Sequence, residues 1–250
     1  MNWVDAVLAA VWGLIAGAAL PLGAALGWFA KLDRGAVAAI MAFGAGILIS
    51  AIAFDIMDEA FATGGLAPSA GGFLLGALIF TGGSLLLARA GARHRKRSVI
   101  VEDGGEDAAR AIALGTAIDG IPESIVIGLS LIDGEGVALA ALIAIFLSNI
   151  PEALSSSAGM KAAGRSARYV FGLWVAIMVM SGAFAFLGYA VFSRFPPEVV
   201  AVTQAVAGGA LIALIADTMI PEAFAETQDA AGLITALGFL SGFALSHGSG

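Results

Sequence analysis

Carboxylate side chains lie within long apolar stretches of this sequence, where an isolated charge is costly. Asp119 and Glu123 are four residues apart in one such stretch, and Ser148, Asn149 and Glu152 lie in the next. A carboxylate in hydrocarbon costs at least about 2.5 kcal/mol, so each acid requires a partner or a task. Residues four apart share one helix face, so two facing helices can present several oxygen atoms to one point. Because such oxygens bind divalent cations, the pattern predicts a metal site.

A proline comes directly before the glutamate at each of three positions. The tripeptide Ile-Pro-Glu occurs at 121–123, 150–152 and 220–222. Proline has no N–H and clashes with the carbonyl group four residues earlier, so it frees a backbone oxygen. Many transporters bind ions where broken helices line a polar cavity inside the membrane. Three copies in one chain therefore indicate an ion path.

Further acids extend this path toward both ends of the apolar stretches. Asp55, Asp58 and Glu59 lie late in one stretch, and Asp217 and Glu222 lie late in another. No Lys or Arg lies in the interior of any stretch, which favours a bound cation as the partner of these acids. The alternative is that the acids are protonated and hydrogen-bonded to Ser, Thr or the backbone.

The composition is that of a membrane protein. Of the 250 residues, 60% are hydrophobic and 12% are charged, whereas soluble globular domains have about 25% charged residues. This excludes a soluble globular domain and a disordered chain, and the absence of cysteine excludes a disulfide-rich scaffold. The net charge of −7 counts against nucleic acid as a partner.

Eight apolar stretches are long enough to cross a bilayer as helices, which takes about 20 residues. The continuous runs of Ala, Leu, Ile, Val and Gly lack the alternation of a membrane β-barrel. We therefore predict an all-α integral membrane protein that forms a single transmembrane domain over residues 1–250. The predicted spans cover residues 3–30, 35–61, 68–90, 109–132, 136–160, 167–193, 198–225 and 230–247.

The basic residues predict the orientation of these spans. All 12 Lys and Arg residues except Arg194 lie in or beside connections that follow odd-numbered spans. Because Lys and Arg accumulate in cytoplasmic loops, we expect a multi-pass cell-membrane protein with both termini outside. Residues 91–108, a basic run followed by an acidic one, form the predicted cytoplasmic loop between spans three and four. A solvated loop anchored at the lipid surface is favoured there over a regulatory or metal-collecting loop.

A short internal repeat predicts the symmetry of the bundle. The tripeptide Glu-Ala-Phe ends span two at 59–61 and span seven at 222–224. Spans two and seven cross the membrane in opposite directions, as the corresponding spans of an inverted repeat do. We therefore predict that spans one to three and six to eight are related around central spans four and five.

These features together resemble the ZIP (Zrt/Irt-like) metal transporters. The resemblance lies in the eight spans, the long loop after span three, and Pro-Glu motifs at 119–124 and 148–153. It implies that Glu123 and Glu152 are metal ligands and that Asp119 replaces the histidine usual in the family. Ser148 and Asn149 occupy the polar positions before the second Pro-Glu. The expected partners are membrane lipid and the metal ion, with a homodimer left open.

The ligand types also bear on the identity of the ion. The two histidines, His94 and His247, lie outside the span interiors. Zinc sites usually include His or Cys, and an all-oxygen site favours Mn²⁺ or Fe²⁺ by comparison. The family resemblance implies Zn²⁺ as the transported ion, with Mn²⁺ or Fe²⁺ as alternatives.

These observations predict a secondary transporter that moves a divalent transition metal into the cytoplasm. The ion would enter past Asp55, Asp58 and Glu59 and leave past Asp217 and Glu222. No nucleotide-binding motif is present, so the driving force is a gradient. One alternative is a non-transporting protein that binds or senses metal, since the usual histidine is replaced.

The other alternative is an intramembrane hydrolase. It could use an aspartyl pair, Asp119 and Asp217, or the serines at 155–157. A serine mechanism needs a base, and no span interior contains a histidine. Neither hydrolase mechanism accounts for the Pro-Glu repeats, so we do not expect an enzyme.

Overall fold

The computed structural model describes residues 2–30, 33–89, 115, 120–132 and 136–248. Within these residues the chain is all-helical and contains no β-strand. The predicted loop at 91–108 and Asp119 lie outside the described residues. The helical fold confirms the all-α part of the predicted fold class, and its long apolar helices fit a membrane-embedded protein.

Eleven α-helices are formed by the described residues, and two of the helix connections are π-helical. The first π-helical segment, Ile52–Met57, joins α3 to α4, and the second, Ile215–Met219, joins α9 to α10. In chain order the helices are α1 (Trp3–Gly17), α2 (Ala19–Phe29), α3 (Arg34–Ala51), α4 (Asp58–Gly64), α5 (Leu66–Arg89), α6 (Gly120–Leu129), α7 (Leu139–Ala162), α8 (Ala167–Phe192), α9 (Pro197–Leu214), α10 (Ile220–Thr227) and α11 (Ala231–Gly248).

Side-chain caps fix where several helices begin. The Asp33 carboxylate accepts a hydrogen bond from the backbone N–H of Ala36 at 3.1 Å, where α3 starts. Asn2 and Ser166 cap α1 and α8 in the same way. The caps satisfy N–H groups that have no acceptor inside the first helical turn.

Six helical segments among the described residues are long and apolar enough to cross a membrane. The last, Pro197–His247, has 51 residues, and a continuous helix of that length would extend about 77 Å. The hydrocarbon core of a bilayer is only about 30 Å thick. The segment is divided at Gln228, which has a positive φ of 45° between α10 and α11. Its two parts pack against different neighbours, α9 against α5 and α11 against α3.

Glycines allow these two helix pairs to cross closely. A methyl group added at Gly46 of α3 would overlap the carbonyl oxygen of Thr235 in α11. In the other pair, a methyl group at Gly209 of α9 would overlap the carbonyl oxygen of Phe73 in α5. Small residues at helix crossings are typical of membrane bundles, where lipid provides no hydrophobic drive for helix association.

The order of contacts along the helices gives their relative directions. Phe43 of α3 contacts Gly238 of α11, and one turn later Ile47 contacts Gly242. The pair α3 and α11 is therefore parallel, and the same criterion makes α5 parallel to α9 and α2 parallel to α7. By contrast, α1 and α8 run antiparallel.

Two parts of the chain follow the same helix plan. Both α3 and α9 have 18 residues, and each leads into a π-helical segment and then a short helix. The short helices end next to residues with positive φ, Gly65 at 76° and Gln228 at 45°. Equivalent positions in the two parts are separated by the same number of residues as the two Glu-Ala-Phe tripeptides. The equivalent pairs are Gly46 and Gly209, Ile52 and Ile215, and Gly65 and Gln228.

The outer surface of the bundle is strongly apolar. Large aliphatic side chains of α5 and α11 are exposed on this surface. An apolar exposed surface is expected where lipid rather than water surrounds the helices. The exposed aliphatic side chains on α5 include Leu74, Leu75, Leu78 and Ile79, and those on α11 include Leu233, Leu237 and Leu240.

Candidate metal centre

A small cavity of about 10 Å³ lies where α1, α2, α6, α7 and α8 meet. A cavity of this size has room for about one water-sized particle. Four polar side chains line the cavity, and apolar side chains and glycines form the rest of its wall. The polar lining residues are Glu123, Ser124, Asn149 and Ser181.

Glu123 is the one carboxylate among the described residues that line this cavity. It lies on α6 and is only 5% exposed. The neighbouring Ser124 is also buried, and its hydroxyl donates to the carbonyl oxygen of Gly120 at 2.6 Å. A carboxylate this deep in an apolar bundle is stabilised by a proton, a hydrogen-bond donor or a cation.

Asn149 connects α7 to the first span at the point where that span is interrupted. The Asn149 side-chain amide donates to the carbonyl oxygen of Ala16 at 3.5 Å. Ala16 lies next to the end of α1, and Ala18 separates α1 from α2. Because the amide nitrogen is used in this contact, the side-chain oxygen of Asn149 is the atom that could bind a cation.

The two other predicted ligands on α7 do not line the cavity. Ser148 is buried, and its hydroxyl donates to the carbonyl oxygen of Ile145 one turn earlier at 3.0 Å. Glu152 is half-buried on the same helix. The structure thus brings Glu123 and Asn149 to one cavity and places Ser148 and Glu152 on α7 beside it.

The proline in α7 does not break the helix. The sequence predicts freed backbone at Pro151, yet α7 continues from Leu139 to Ala162 with the proline ring buried. A missing N–H removes one hydrogen bond, and packing of the surrounding helix against its neighbours preserves the helical path. The α7 backbone is therefore not unwound beside the cavity.

Within the described residues, no group of three or more His, Asp or Glu side chains lies close enough together to hold a metal ion. Asp119, the predicted third acid, lies outside those residues. The described part of the centre therefore combines one carboxylate with neutral oxygen donors.

Sequence reasoning missed two polar residues of the cavity, namely Ser124, which follows Glu123 on α6, and Ser181 of α8. The Ser181 hydroxyl donates to the carbonyl oxygen of Ile177 at 3.2 Å, and both residues line the cavity. The available signal was a hydroxyl residue in the middle of an otherwise apolar span. Serine is common in membrane helices as a small packing residue, so that signal alone is weak.

The predicted path residues lie at the two π-helical segments and the short helices that follow them. Asp55 is in the first π-helical segment, and Asp58 and Glu59 begin α4. Asp217 is in the second π-helical segment, and Glu222 is in the first turn of α10. Four of these five acids are half-buried and Asp58 is exposed. Wider helical turns of this kind are rare and often occur at functional sites.

No family model matches this chain, and no curated protein matches it. A functional assignment therefore depends on the residues, their geometry and the motif resemblance.

Proposed function

We propose that this protein is a ZIP-like secondary transporter that moves a divalent transition metal across the membrane into the cytoplasm. The observation that supports this most strongly is a buried carboxylate, Glu123, in a small cavity that also has amide and hydroxyl oxygens. The cavity lies inside an apolar helical bundle, where ions do not enter without dedicated ligands.

The ligand types favour a divalent cation over other cargo. Glu123 supplies negative charge, and Asn149, Ser124 and Ser181 supply neutral oxygens around a space of about 10 Å³. This small space leaves no room for an organic substrate. Asp119 is four residues before Glu123, so a continuous helix would place both carboxylates on one face. The family resemblance implies Zn²⁺, while the oxygen ligands also suit Mn²⁺ and Fe²⁺.

We further infer eight spans. The 51-residue segment divided at Gln228 accounts for spans seven and eight, and α6 forms part of span four. If consecutive spans cross the membrane in opposite directions, spans one and five are parallel to each other. The same holds for spans two and eight and for spans three and seven. The parallel pairs α2 with α7, α3 with α11 and α5 with α9 agree with that order. The predicted orientation, with both termini outside, follows from the basic residues.

An inverted repeat is supported by equivalent contacts in the two halves of the chain. The crossing of Gly46 with Thr235 corresponds to the crossing of Gly209 with Phe73. The π-helical segments begin at equivalent positions, Ile52 and Ile215. A two-fold relation between the halves provides two similar arrangements of the bundle around one central site, which is how many transporters alternate access.

Metal uptake into proteoliposomes tests the proposal. We expect saturable uptake of at least one of Zn²⁺, Mn²⁺, Fe²⁺ and Cd²⁺, well above uptake of Mg²⁺ or Ca²⁺. Protein-free liposomes and liposomes with the Glu123→Gln variant are the controls. Uptake equal to that of protein-free liposomes for every ion would overturn the transport proposal. Binding without uptake would instead favour a protein that senses metal.

A further inference from the structure

A histidine near the C-terminal end of α11 is held against the first π-helical segment by aromatic contacts. The His247 ring centroid lies 5.4 Å from that of Phe54 and 4.2 Å from that of Phe243. Phe54 also packs edge-on against Phe243, with centroids 5.1 Å apart. Because Phe54 directly precedes Asp55, these contacts hold the imidazole ring beside an acidic residue of the proposed path.

The two ring nitrogens of His247 have different surroundings. Nδ1 lies 3.0 Å from the carbonyl oxygen of Phe243. A carbonyl oxygen can only accept a hydrogen bond, so in the neutral ring Nδ1 carries the proton and Nε2 keeps its lone pair. Histidine ligands of metals are commonly held in this way, with one nitrogen donating to a carbonyl and the other binding the ion. The contact with Phe243 therefore prepares Nε2 to act as a ligand.

Oxygen ligands lie next to this imidazole. The half-buried Asp55 carboxylate is near enough to His247 for their charges to interact, and Ser246 adjoins the same carboxylate. The Ser246 hydroxyl is shielded from solvent and lies against the Asp55 carboxylate, which can accept a hydrogen bond from it. A hydroxyl oxygen that donates its proton in this way keeps its lone pairs for an ion.

We propose that His247, Asp55 and Ser246 form a capture site for a divalent transition metal, separate from the central cavity. One imidazole nitrogen and one carboxylate suit first-row ions such as Zn²⁺ and Fe²⁺ better than Mg²⁺ or Ca²⁺. A site with few protein ligands leaves positions for water, so the ion can leave again. Its role in capture rests on the proposed transport function, whereas metal binding at this site does not.

Spectroscopy of the histidine rings tests the site directly. The chain has only two histidines, so the full-length His94→Gln variant in lipid nanodiscs gives one set of imidazole nitrogen resonances. Adding Zn²⁺ should shift the Nε2 resonance of His247 while Nδ1 stays protonated. Asp55→Asn should weaken this binding by at least about tenfold, since even indirect partners of metal ligands contribute that much. Glu198→Gln makes the same change on an exposed carboxylate of α9 and is the matched control.

Two results would overturn the site. One is an Nε2 resonance that Zn²⁺ does not move. The other is a response that Asp55→Asn leaves unchanged, because His247 would then bind metal as an isolated surface histidine. Mg²⁺ in place of Zn²⁺ provides the ion control, and an equal response to both ions would also contradict a transition-metal site.

Uptake measurements test the capture role separately. His247→Gln should raise the metal concentration for half-maximal uptake by about tenfold while the maximal rate stays the same. An unchanged half-maximal concentration would overturn the role in capture. If Zn²⁺ moves the Nε2 resonance but wild-type protein transports no metal, the site stands and the proposed function fails. If uptake is normal and the resonance does not move, the proposed function stands and the capture site fails.

Discussion

The two π-helical segments occupy equivalent places in the two halves of the chain but have different ligands nearby. Asp55 in the first half has His247 and Ser246 as neighbours. The glycine crossings relate these three residues to Thr218, Leu85 and Ser84, which surround the second π-helical segment. The backbone plan is therefore shared, while a carboxylate and an imidazole occupy these equivalent positions only at the first segment.

This difference separates what the fold requires from what the proposed metal path requires. The second π-helical segment is followed by Pro221, whereas Asp58 takes the corresponding place after the first. Proline is therefore not needed for the wider helical turn, which both halves form under the same packing. In the proposed orientation the capture pair lies at the outer end of the path and has no counterpart at the inner end, which would favour binding outside and release inside.

The largest effect is expected at the central cavity. Glu123→Ala should lower saturable uptake by at least about thirtyfold, because losing one partner of a buried charge contact costs about 2 kcal/mol or more. We expect a similar loss for Glu152→Ala, since the family resemblance makes that side chain the second carboxylate ligand. Glu198→Ala removes an exposed carboxylate and should leave uptake unchanged. Normal uptake by Glu123→Ala would remove the cavity from the ion path.

The equivalence of the two halves predicts equal losses of stability at the two glycine crossings. Gly46→Ala and Gly209→Ala would each push a methyl group into a backbone carbonyl of the partner helix. Overpacking of this kind costs about 2 kcal/mol, and each variant should lower the thermal unfolding midpoint by about 4 to 8 °C. Gly71→Ala meets no atom within 4 Å and serves as the control. A large loss in one variant and none in the other would argue against the repeat.

The asymmetry between the mouths can be removed by mutation. The double variant Thr218→Asp with Leu85→His places a carboxylate and an imidazole at the positions equivalent to the capture pair, on the inner side in the proposed orientation. Tighter binding by about 1.4 kcal/mol would slow release and lower the maximal uptake rate by about tenfold. Thr218→Asn with Leu85→Gln adds polar groups without the metal ligands and should transport faster than the Asp and His variant. Equal rates in the two double variants would contradict the proposed role of the asymmetry.

The sequence predicts the helices well because apolar length and capping residues are local signals. The second predicted span starts at residue 35, one residue after the observed start of α3, where Asp33 supplies the cap. The π-helical segments have no such signal, since neither depends on a particular residue and both follow close helix crossings. The break at Gln228 lies in the predicted connection between spans seven and eight, but its positive φ has no sequence signal, because positive φ is uncommon for a residue other than glycine.

The candidate site could be predicted only in part for a related reason. Pro-Glu spacing identifies Glu123, and the polar positions before the second motif identify Asn149. The contact of Asn149 with Ala16 joins residues 133 positions apart, so no local pattern indicates it. Ser181 enters the cavity through the packing of α8 and is not marked by any motif. Which residues of α7 line the cavity likewise depends on how that helix is rotated, and Glu152 is not among them.

Equilibrium binding of metal to the central cavity tests the central claim most directly. The measurement is titration calorimetry of Zn²⁺ and Mn²⁺ into full-length His247→Gln protein, with and without Glu123→Gln, in buffers of different ionisation enthalpy. Protons compete with metal for carboxylate oxygens, so binding should weaken as the pH falls. We predict one saturable binding event that weakens in this way and is lost in the Glu123→Gln variant. Binding with the same affinity in both proteins would contradict the account, since the ion would then be held elsewhere.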